Sequence, residues 1–154
     1  MSRFWEGESD DPLGWGRYEA AKRATLRGKR SQAFLRELVA ALDALPQPEL
    51  SEGALGDRRT GCVCVLGAIA LAQGDSFDDL AKDNGNWSPD DAAKWYSISP
   101  TLANEIISAN DDWRDGNAVD VRRSRWRHVR AWAVHHLIEP AQPTHPTPEP
   151  PNAD

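Results

Sequence analysis

The sequence has few cysteines, no long apolar run and no clear alternation of apolar and polar residues. Its two cysteines stand two positions apart in a chain of 154 residues, so they do not make a disulfide framework. No apolar run approaches the roughly 18 residues that a membrane-spanning helix needs, and the first residues lack the apolar core of a signal peptide. These absences exclude a disulfide-rich secreted scaffold and a membrane protein, and we expect a cytoplasmic location.

The length and composition favour one domain. With 154 residues, of which 40% are hydrophobic, the chain can bury a substantial core. We expect an irregular N-terminal arm at residues 1–15, pinned to the body by Trp5 and Trp15, and a single helical domain at residues 16–138. Six prolines crowd residues 139–154. A segment of that composition cannot pack a core, so we predict a disordered tail there.

Two helices are predicted at the start of the domain. The first covers about residues 17–27 and ends at Gly28. The second begins after Ser31, which is a favourable N-cap residue, and ends before Pro46. Its apolar side chains recur at helical spacing: Phe34, Leu35, Leu38, Val39, Leu42 and Leu45.

A third helix is predicted from a run without polar side chains. Residues 62–72 are all apolar, and the run is too short for a membrane span and too rich in alanine and glycine for a typical strand. We expect a helix buried on all sides, with Gly61 and Gly67 allowing neighbouring helices to approach closely. Cys62 and Cys64 would then lie on opposite faces of that helix, which favours core packing over metal binding.

Three short helices are predicted from cap signals. Ser76, Ser88 and Ser99 each stand immediately before a helix-forming segment, where a hydroxyl oxygen accepts a backbone N–H. A last helix covers about residues 118–138. No segment alternates like a strand. The predicted fold class is therefore mainly all-α: a compact bundle of about six to seven helices, some short, around one buried helix.

Charge is segregated along the chain although the net charge is −6. Residues 17–30 and residues 122–130 contain eleven of the eighteen lysines and arginines, whereas residues 75–115 are strongly acidic. One interpretation is that the basic and acidic surfaces neutralise each other within the fold. The other is that the basic segments form a face that binds an anion.

The candidate binding site lies where the two basic segments meet. On a helical projection of the last segment, arginines flank a tryptophan at the edge of the apolar face. These arginines could pair with acids from residues 75–115 and cover the tryptophan with their stems. Alternatively they could bind phosphate while indoles stack on a base. For that second case we predict a ligand site made of Lys29, Arg30, Arg122, Trp126, Arg130 and Trp132.

No metal site or catalytic constellation can be assembled from local spacing. His128 and His135 are seven residues apart, about two helical turns, which is too far to share one metal ion; solvated surface positions explain the histidines better. We therefore predict no catalytic residue, no metal and no cofactor. Whether the protein is an enzyme stays open, because the carboxylate cluster of a hydrolase or nuclease could still form in the fold.

A helix-turn-helix that reads DNA is an alternative function. Residues 89–110 form two short helical segments joined at Ser97 to Ser99. The second segment, however, carries no lysine or arginine and is followed by acids. DNA binding depends on cationic contacts to phosphates. The lack of lysine and arginine in the second segment therefore favours a structural helix hairpin over a DNA-binding motif.

The stretches "GKRSQAFLREL", "VCVLGA" and "ISPTLANEI" together resemble a family of small uncharacterised bacteriophage and prophage proteins. The resemblance covers about residues 22–138 and leaves out the proline-rich tail. The matching positions are Gly28, Lys29, Arg30, Gln32, Leu35, Arg36, Glu37, Leu38, Val63, Cys64, Leu66, Gly67, Ala68, Ile98, Leu102, Ala103, Glu105 and Ile106.

The resemblance implies a non-enzymatic phage accessory protein that counters host defence, acting in the host cytoplasm. Its partner would be a small anionic ligand such as a nucleotide signal, or a host defence protein that it masks. No membrane partner is expected. The oligomeric state stays open, since the apolar helix around Gly67 could also lie at the interface of a homodimer.

Overall fold

The computed structural model describes residues 12–82, 87–113 and 120–138. Within these ranges the protein is mainly all-α, as predicted, with seven helices and one very small sheet. The predicted disordered tail, Trp5 and the start of the last helix before residue 120 lie outside the described residues. The elements are α1 (Pro12–Arg27), α2 (Lys29–Asp43), β1 (Gly56–Asp57), β2 (Cys62–Val63), α3 (Val65–Ala72), α4 (Phe77–Lys82), α5 (Pro89–Tyr96), α6 (Pro100–Asp111) and α7 (Val121–His136).

The core forms around two central helices. α6 packs against α1, α3, α5 and α7, while α2 packs against α1, α3 and α7. The amphipathic stripe predicted for α2 supplies several of the most deeply buried side chains, among them Leu35, Leu38 and Leu42. The predicted buried helix is confirmed as α3, because every residue from Val65 to Ala70 is buried. Side chains from all the long helices therefore meet in one hydrophobic core.

The start of α2 differs from the prediction. The helix begins at Lys29, with Gly28 as its N-cap in an extended conformation, and Ser31 lies buried inside the first turn. The Gly28 carbonyl already accepts the first helical hydrogen bond, from the Gln32 N–H at 2.9 Å. The connection between α1 and α2 is the single residue Gly28, which already caps α2, so Ser31 three residues later cannot be the cap and the residue type alone was a misleading signal.

The apolar run at residues 62–72 is not one helix. Cys62 and Val63 form β2, which pairs antiparallel with β1 in the register Gly56 to Val63 and Asp57 to Cys62. The N–H of Ser51 also bonds to the Val63 carbonyl at 2.9 Å. Backbone partners from the preceding loop therefore hold these two residues extended, and α3 begins only at Val65.

Gly67 within this run and Gly61 just before it have different structural roles. A Cβ on Gly67 would collide with the carbonyl oxygen of Leu55 and with the Val63 side chain. Close approach is therefore confirmed at Gly67, but a loop carbonyl approaches it rather than a neighbouring helix. Gly61 has open space around it and a φ of +72°, a conformation that glycine adopts at little cost, so it serves the turn between β1 and β2.

The predicted caps of the three short helices are confirmed. The hydroxyl oxygens of Ser76, Ser88 and Ser99 each accept a backbone N–H from three residues ahead, at 3.1 to 3.2 Å. At α5 the carboxylate of Asp91 also accepts the N–H of Ser88, which completes a capping box. Local side-chain chemistry thus fixes where these helices begin.

The two ends of the domain depart from the predicted boundaries. α1 begins at Pro12, so residues 12–15 of the expected irregular arm are helical. Trp15 is not pinned to the body: it is 67% exposed, and its ring lies 5.9 Å from that of Tyr18. At the other end α7 stops at His136, two residues before the predicted end.

Candidate functional site

The arginines beside Trp126 form ion pairs, but with other acids than those expected. The Nε and Nη2 atoms of Arg130 donate hydrogen bonds of 2.7 and 3.1 Å to the carboxylate of Asp43. These hydrogen bonds lower the pKa of Asp43. Arg122 lies 4.0 Å from the carboxylate of Glu49. Both acids come from the end of α2 and the loop after it, so the expected pairing with residues 75–115 is wrong for these two arginines.

Trp126 ties α7 to α2. Its indole N–H donates to the carbonyl oxygen of Leu42 at 3.0 Å, near the C-terminal end of α2. The guanidinium carbon of Arg130 lies 6.0 Å from the indole centroid, at the outer limit of a cation–π contact. The indole N–H is thus engaged in packing two helices together.

The structure does not bring the six predicted ligand residues into one pocket. Lys29 and Arg30 are exposed on the first turn of α2, whereas Arg130 pairs with Asp43 at the opposite end of that helix. The length of α2 separates them by about 20 Å. Trp132 is half-buried against the core, with its ring 4.8 Å from that of His136.

Arg125 is the buried arginine of α7, and it is not among the six ligand residues predicted from the sequence. Its side chain is inside the protein, with the whole residue only 4% exposed. Its Nε donates to the Asn110 carbonyl at 2.8 Å, its Nη1 donates to the Leu50 carbonyl at 3.0 Å, and its Nη2 lies 3.8 Å from the Glu52 carboxylate. It therefore joins α7 to the end of α6 and to the loop after α2.

Asn110 extends this polar network to α3. Its side-chain oxygen accepts the N–H of Val65 at 3.1 Å, and its side-chain nitrogen donates to the Ser51 carbonyl at 3.1 Å. The N–H of Val65 belongs to the first turn of α3 and has no partner within that helix. All these groups are satisfied by one another, so the network around Arg125 is structural and offers nothing to a ligand.

A cleft between α1 and the C-terminal end of α7 is lined by residues of the first basic segment and by two histidines, and residues 122–130 of the second basic segment are not among its described lining. The cleft has a volume of about 350 Å³, within the range of small-molecule sites. Glu19 is the one acid among the described residues that line it. Its basic lining consists of Lys22, Arg23, Arg27, His135 and His136.

The cations of this cleft differ in how far they are already paired. Lys22 lies 3.8 Å from the carboxylate of Glu19 and 3.4 Å from that of Glu105 on α6. Arg23 and Arg27 are exposed and make no ion pair within the described part of the chain. One turn apart on α1, these two guanidinium groups can reach the same small anion.

Gln32 holds the three helix ends that frame the cleft. This residue is buried, and its side-chain nitrogen donates to the Leu26 carbonyl at 2.7 Å and to the His136 carbonyl at 2.9 Å. Its side-chain oxygen accepts the N–H of Ile138 at 2.8 Å. The ends of α1 and α7 are thereby fixed against the start of α2.

His136 has a defined orientation at the cleft. Its Nδ1 lies 2.8 Å from the Trp132 carbonyl oxygen, and because a carbonyl only accepts, Nδ1 carries the proton of this hydrogen bond. The other ring nitrogen, Nε2, is then left for the cleft side. His128 is not the solvated residue that the spacing indicated, since its ring stacks on Trp113 at 4.1 Å.

No catalytic or metal centre is evident in the described residues. No three side chains of histidine, cysteine, aspartate or glutamate come together there as metal ligands would. Cys62 and Cys64 are free and buried, as predicted. Burial raises the pKa of Cys64 to about 11, so this thiol stays protonated at neutral pH and is a poor nucleophile.

The hairpin of α5 and α6 forms as predicted, yet its second helix is enclosed. α6 contacts four other helices and leaves only Pro100 and Asn104 well exposed. Ser97 makes the turn with a left-handed φ of 55°. A recognition helix needs a free face with cations on it, and α6 has neither.

Comparisons with protein-family models, with curated proteins and with solved structures gave no match. Among the helices that the structure describes, none combines the length and apolar character needed to cross a membrane.

Proposed function

We propose that this protein is a non-enzymatic binding protein for a small phosphate-bearing anion, such as a nucleotide, held in the cleft between α1 and the end of α7. One observation carries the proposal. Five basic side chains, three from the first basic segment and two histidines from the end of α7, line this cleft against one acid, in a chain whose net charge is −6. A guanidinium group matches phosphate geometry with two parallel hydrogen bonds.

The chemistry of the cleft assigns a role to each side chain. Arg23 and Arg27 would bind the phosphate, since neither is occupied by an acid in the described part of the chain. His135 lies on the opposite wall, and the Nε2 atom of His136, which has no proton in the tautomer whose Nδ1 donates to Trp132, would accept a hydroxyl or amino group of the ligand. The carboxylate of Glu19 would repel a ligand that carries negative charge next to it, and it would accept a hydrogen bond from a hydroxyl or amino group of the ligand.

The biological setting follows from the resemblance to phage accessory proteins. A protein that holds nucleotides without converting them can remove a signal on which a host defence system depends. On this proposal the chain counters host defence by sequestration. Masking of a host protein is the other way in which such a protein could act, and binding of a nucleotide would decide between the two.

The ligand class is tested first by thermal shift. The purified protein is heated with mono-, di- and cyclic nucleotides, with inorganic phosphate and with a short DNA duplex. A bound ligand raises the melting temperature by an amount that grows with the logarithm of the ratio of its concentration to its Kd. We expect one nucleotide class to raise it, and no shift with any nucleotide or with phosphate would contradict the proposal.

The location is tested by charge removal in the cleft. The double substitution Arg23→Ala/Arg27→Ala should weaken binding of the identified nucleotide at least about tenfold, because each charge-assisted hydrogen bond contributes on the order of 1.5–3 kcal/mol. Calorimetric titration measures the Kd. The matched control is Arg58→Ala/Arg59→Ala, which removes the same charge from an exposed turn and should leave the Kd nearly unchanged.

A third variant separates the cleft from the site predicted beside Trp126. Arg130→Ala removes the arginine that pairs with Asp43. If it abolished binding while the Arg23/Arg27 variant still bound, the ligand would lie beside Trp126 and the cleft would be the wrong site. Basic side chains also stabilise the negative C-terminal ends of α1 and α7, so melting temperatures without ligand are compared for every variant.

A further inference from the structure

A second pocket lies at the C-terminal end of α2. Its volume is about 260 Å³. It is bounded by residues from the segment 45–49, by residues 60–63 of the hairpin between β1 and β2, by Leu71 of α3 and by Phe77 of α4. Because an apolar cavity of about 150 Å³ is enough to hold benzene, this pocket has room for a ring with a substituent.

Most of the pocket wall is apolar, and part of it is uncovered by the described residues. Leu45, Leu71 and Phe77 pack against the core but are only half-buried, and Val63 lines the pocket from the small sheet. Gly61 has no Cβ, and open space surrounds the position where one would stand. A small apolar molecule can therefore cover these side chains, and an aromatic one can also meet the ring of Phe77 edge to face.

Glu49 is the one carboxylate among the described residues that line this pocket. It accepts a hydrogen bond from the Cys62 thiol at 3.5 Å and another from the Nε of Arg123 at 3.4 Å. The Nε of Arg122 lies 4.0 Å away from it. The two arginines of α7 compensate the negative charge of Glu49, and neither of them is part of the described lining.

The carboxylate of Glu49 selects the polar group of a ligand. A carboxylate offers about four lone pairs, so the two hydrogen bonds that Glu49 accepts leave room for a third. An ammonium group would gain little there, because the arginines already compensate the charge, and a ligand carboxylate would face another carboxylate. A neutral hydroxyl or amino group is the donor that fits, since it satisfies the acceptor without adding a charge to an apolar pocket.

We propose that this pocket binds a small uncharged aromatic molecule with a hydroxyl or amino donor. Its ring lies beside Leu71 and Phe77, and its donor bonds to the carboxylate of Glu49. The pocket is at the end of α2, whereas the anion cleft is framed at the start of that helix, about 20 Å away. Binding here is therefore independent of anion binding in the cleft.

The test titrates the full chain with four probes of similar size and follows assigned methyl signals in a ¹H–¹³C spectrum. The probes are phenol, toluene, benzylamine and benzoate. We expect phenol to bind with a Kd on the order of 1 mM and its ring to shift the methyl signals of Leu45, Val63 and Leu71. The methyl signals of Leu102 and Ile106, which are fully buried and do not line the pocket, should stay in place.

A substitution at Glu49 tests the hydrogen bond. Glu49→Met removes the carboxylate and keeps a side chain of similar length. It should raise the Kd of phenol at least about tenfold, because a hydrogen bond to a charged acceptor is lost, and leave the Kd of toluene nearly unchanged. The matched control is Glu37→Met, which removes the same charge from an exposed position of α2 and should change neither Kd.

Three results would overturn the proposal. The first is that phenol at about ten times the expected Kd leaves the methyl signals of the pocket unchanged. The second is that benzylamine or benzoate binds more tightly than phenol, which would mean a charged ligand. The third is that Glu49→Met weakens toluene as much as phenol. The comparison of the probes uses the unsubstituted protein, so it decides the ligand class even if Glu49→Met lowers stability.

Discussion

At the scale of single residues, we expect the buried polar groups to contribute more to stability than the exposed arginines, which are the most numerous charged residues of α7. Arg125 stands four residues before Val129 and eight before Ala133, both fully buried. That spacing places it on the inner stripe of the helix. The signal is thus present in the sequence, although residue type alone favours a surface position for an arginine, because charged residues are seldom buried unless paired.

Replacement of Arg125 should destabilise the protein strongly. Arg125→Ala leaves the carbonyls of Asn110 and Leu50 without their donor, and buried groups left in this way cost on the order of 1–3 kcal/mol each. We expect the free energy of unfolding in urea to fall by about 2–5 kcal/mol. Arg127→Ala, an exposed position on the same helix, is the control and should change it by no more than about 0.5 kcal/mol. Equal effects of the two variants would contradict the structural role of Arg125.

Gly67 carries a steric prediction. A methyl group there meets the Leu55 carbonyl and the Val63 side chain. Leu55 directly precedes β1 and Val63 lies in β2, so neither residue can move away without disturbing the small sheet. Gly67→Ala should therefore lower the melting temperature, with an overpacking cost of about 1–3 kcal/mol. Gly16→Ala in α1, where nothing lies near the added methyl, should be neutral or slightly stabilising. A neutral Gly67→Ala would mean that α3 and the loop are not in close contact in solution.

At the scale of elements, α7 is fastened to α2 at both ends. Gln32 bonds to the last turn of α7, and Trp126 and Arg130 bond to the end of α2. Helical periodicity predicted both helices, and the cap serines predicted the starts of α4, α5 and α6. The small sheet could not be predicted, because two-residue strands leave no alternating pattern and the extended conformation of residues 62–63 depends on hydrogen bonds to the preceding loop.

The Asp43–Arg130 pair makes this helix contact sensitive to acid. The pKa of Asp43 is lowered in the folded protein by its hydrogen bonds to Arg130. The folded state therefore binds this proton less readily than the unfolded state, and the pair stabilises the fold above the unfolded pKa of about 3.9. This contribution is lost as the pH falls through the lower, folded pKa. The difference in melting temperature between wild type and Asp43→Asn should thus be constant above about pH 5 and shrink below about pH 4.

A difference that grew towards acid pH would contradict this assignment. Asp79→Asn is the matched control. Asp79 is an exposed aspartate whose pKa is also lowered, by Lys82 on the same short helix. The ion pair of Asp79 with Lys82 lies within one short helix and does not connect two helices. Asp79→Asn therefore removes an acid-sensitive ion pair without affecting the contact between α2 and α7.

At the scale of the whole molecule, the fold places the first basic segment beside the histidines at the end of α7. Residues 17–30 and the end of α7 meet around the cleft, while the arginines at the start of α7 are neutralised by Glu49 and by the loop near it. The acidic middle of the chain reaches the cleft through Glu105, which pairs with Lys22. Neutralisation within the fold thus accounts for the arginines that pair with Asp43 and Glu49, and anion binding stays a prediction for the cleft.

The sequence by itself determined the helical class, the amphipathic stripe of α2, the buried position of α3 and the starts of the short helices. Each of these depends on spacing or on side chains within one turn, so local physics decides them. Only the tertiary structure decided which charges are neutralised, that Arg125 is buried, and that Arg23 and Arg27 face the histidines at the end of α7. Those facts depend on which distant helix ends lie side by side, and no local pattern encodes that.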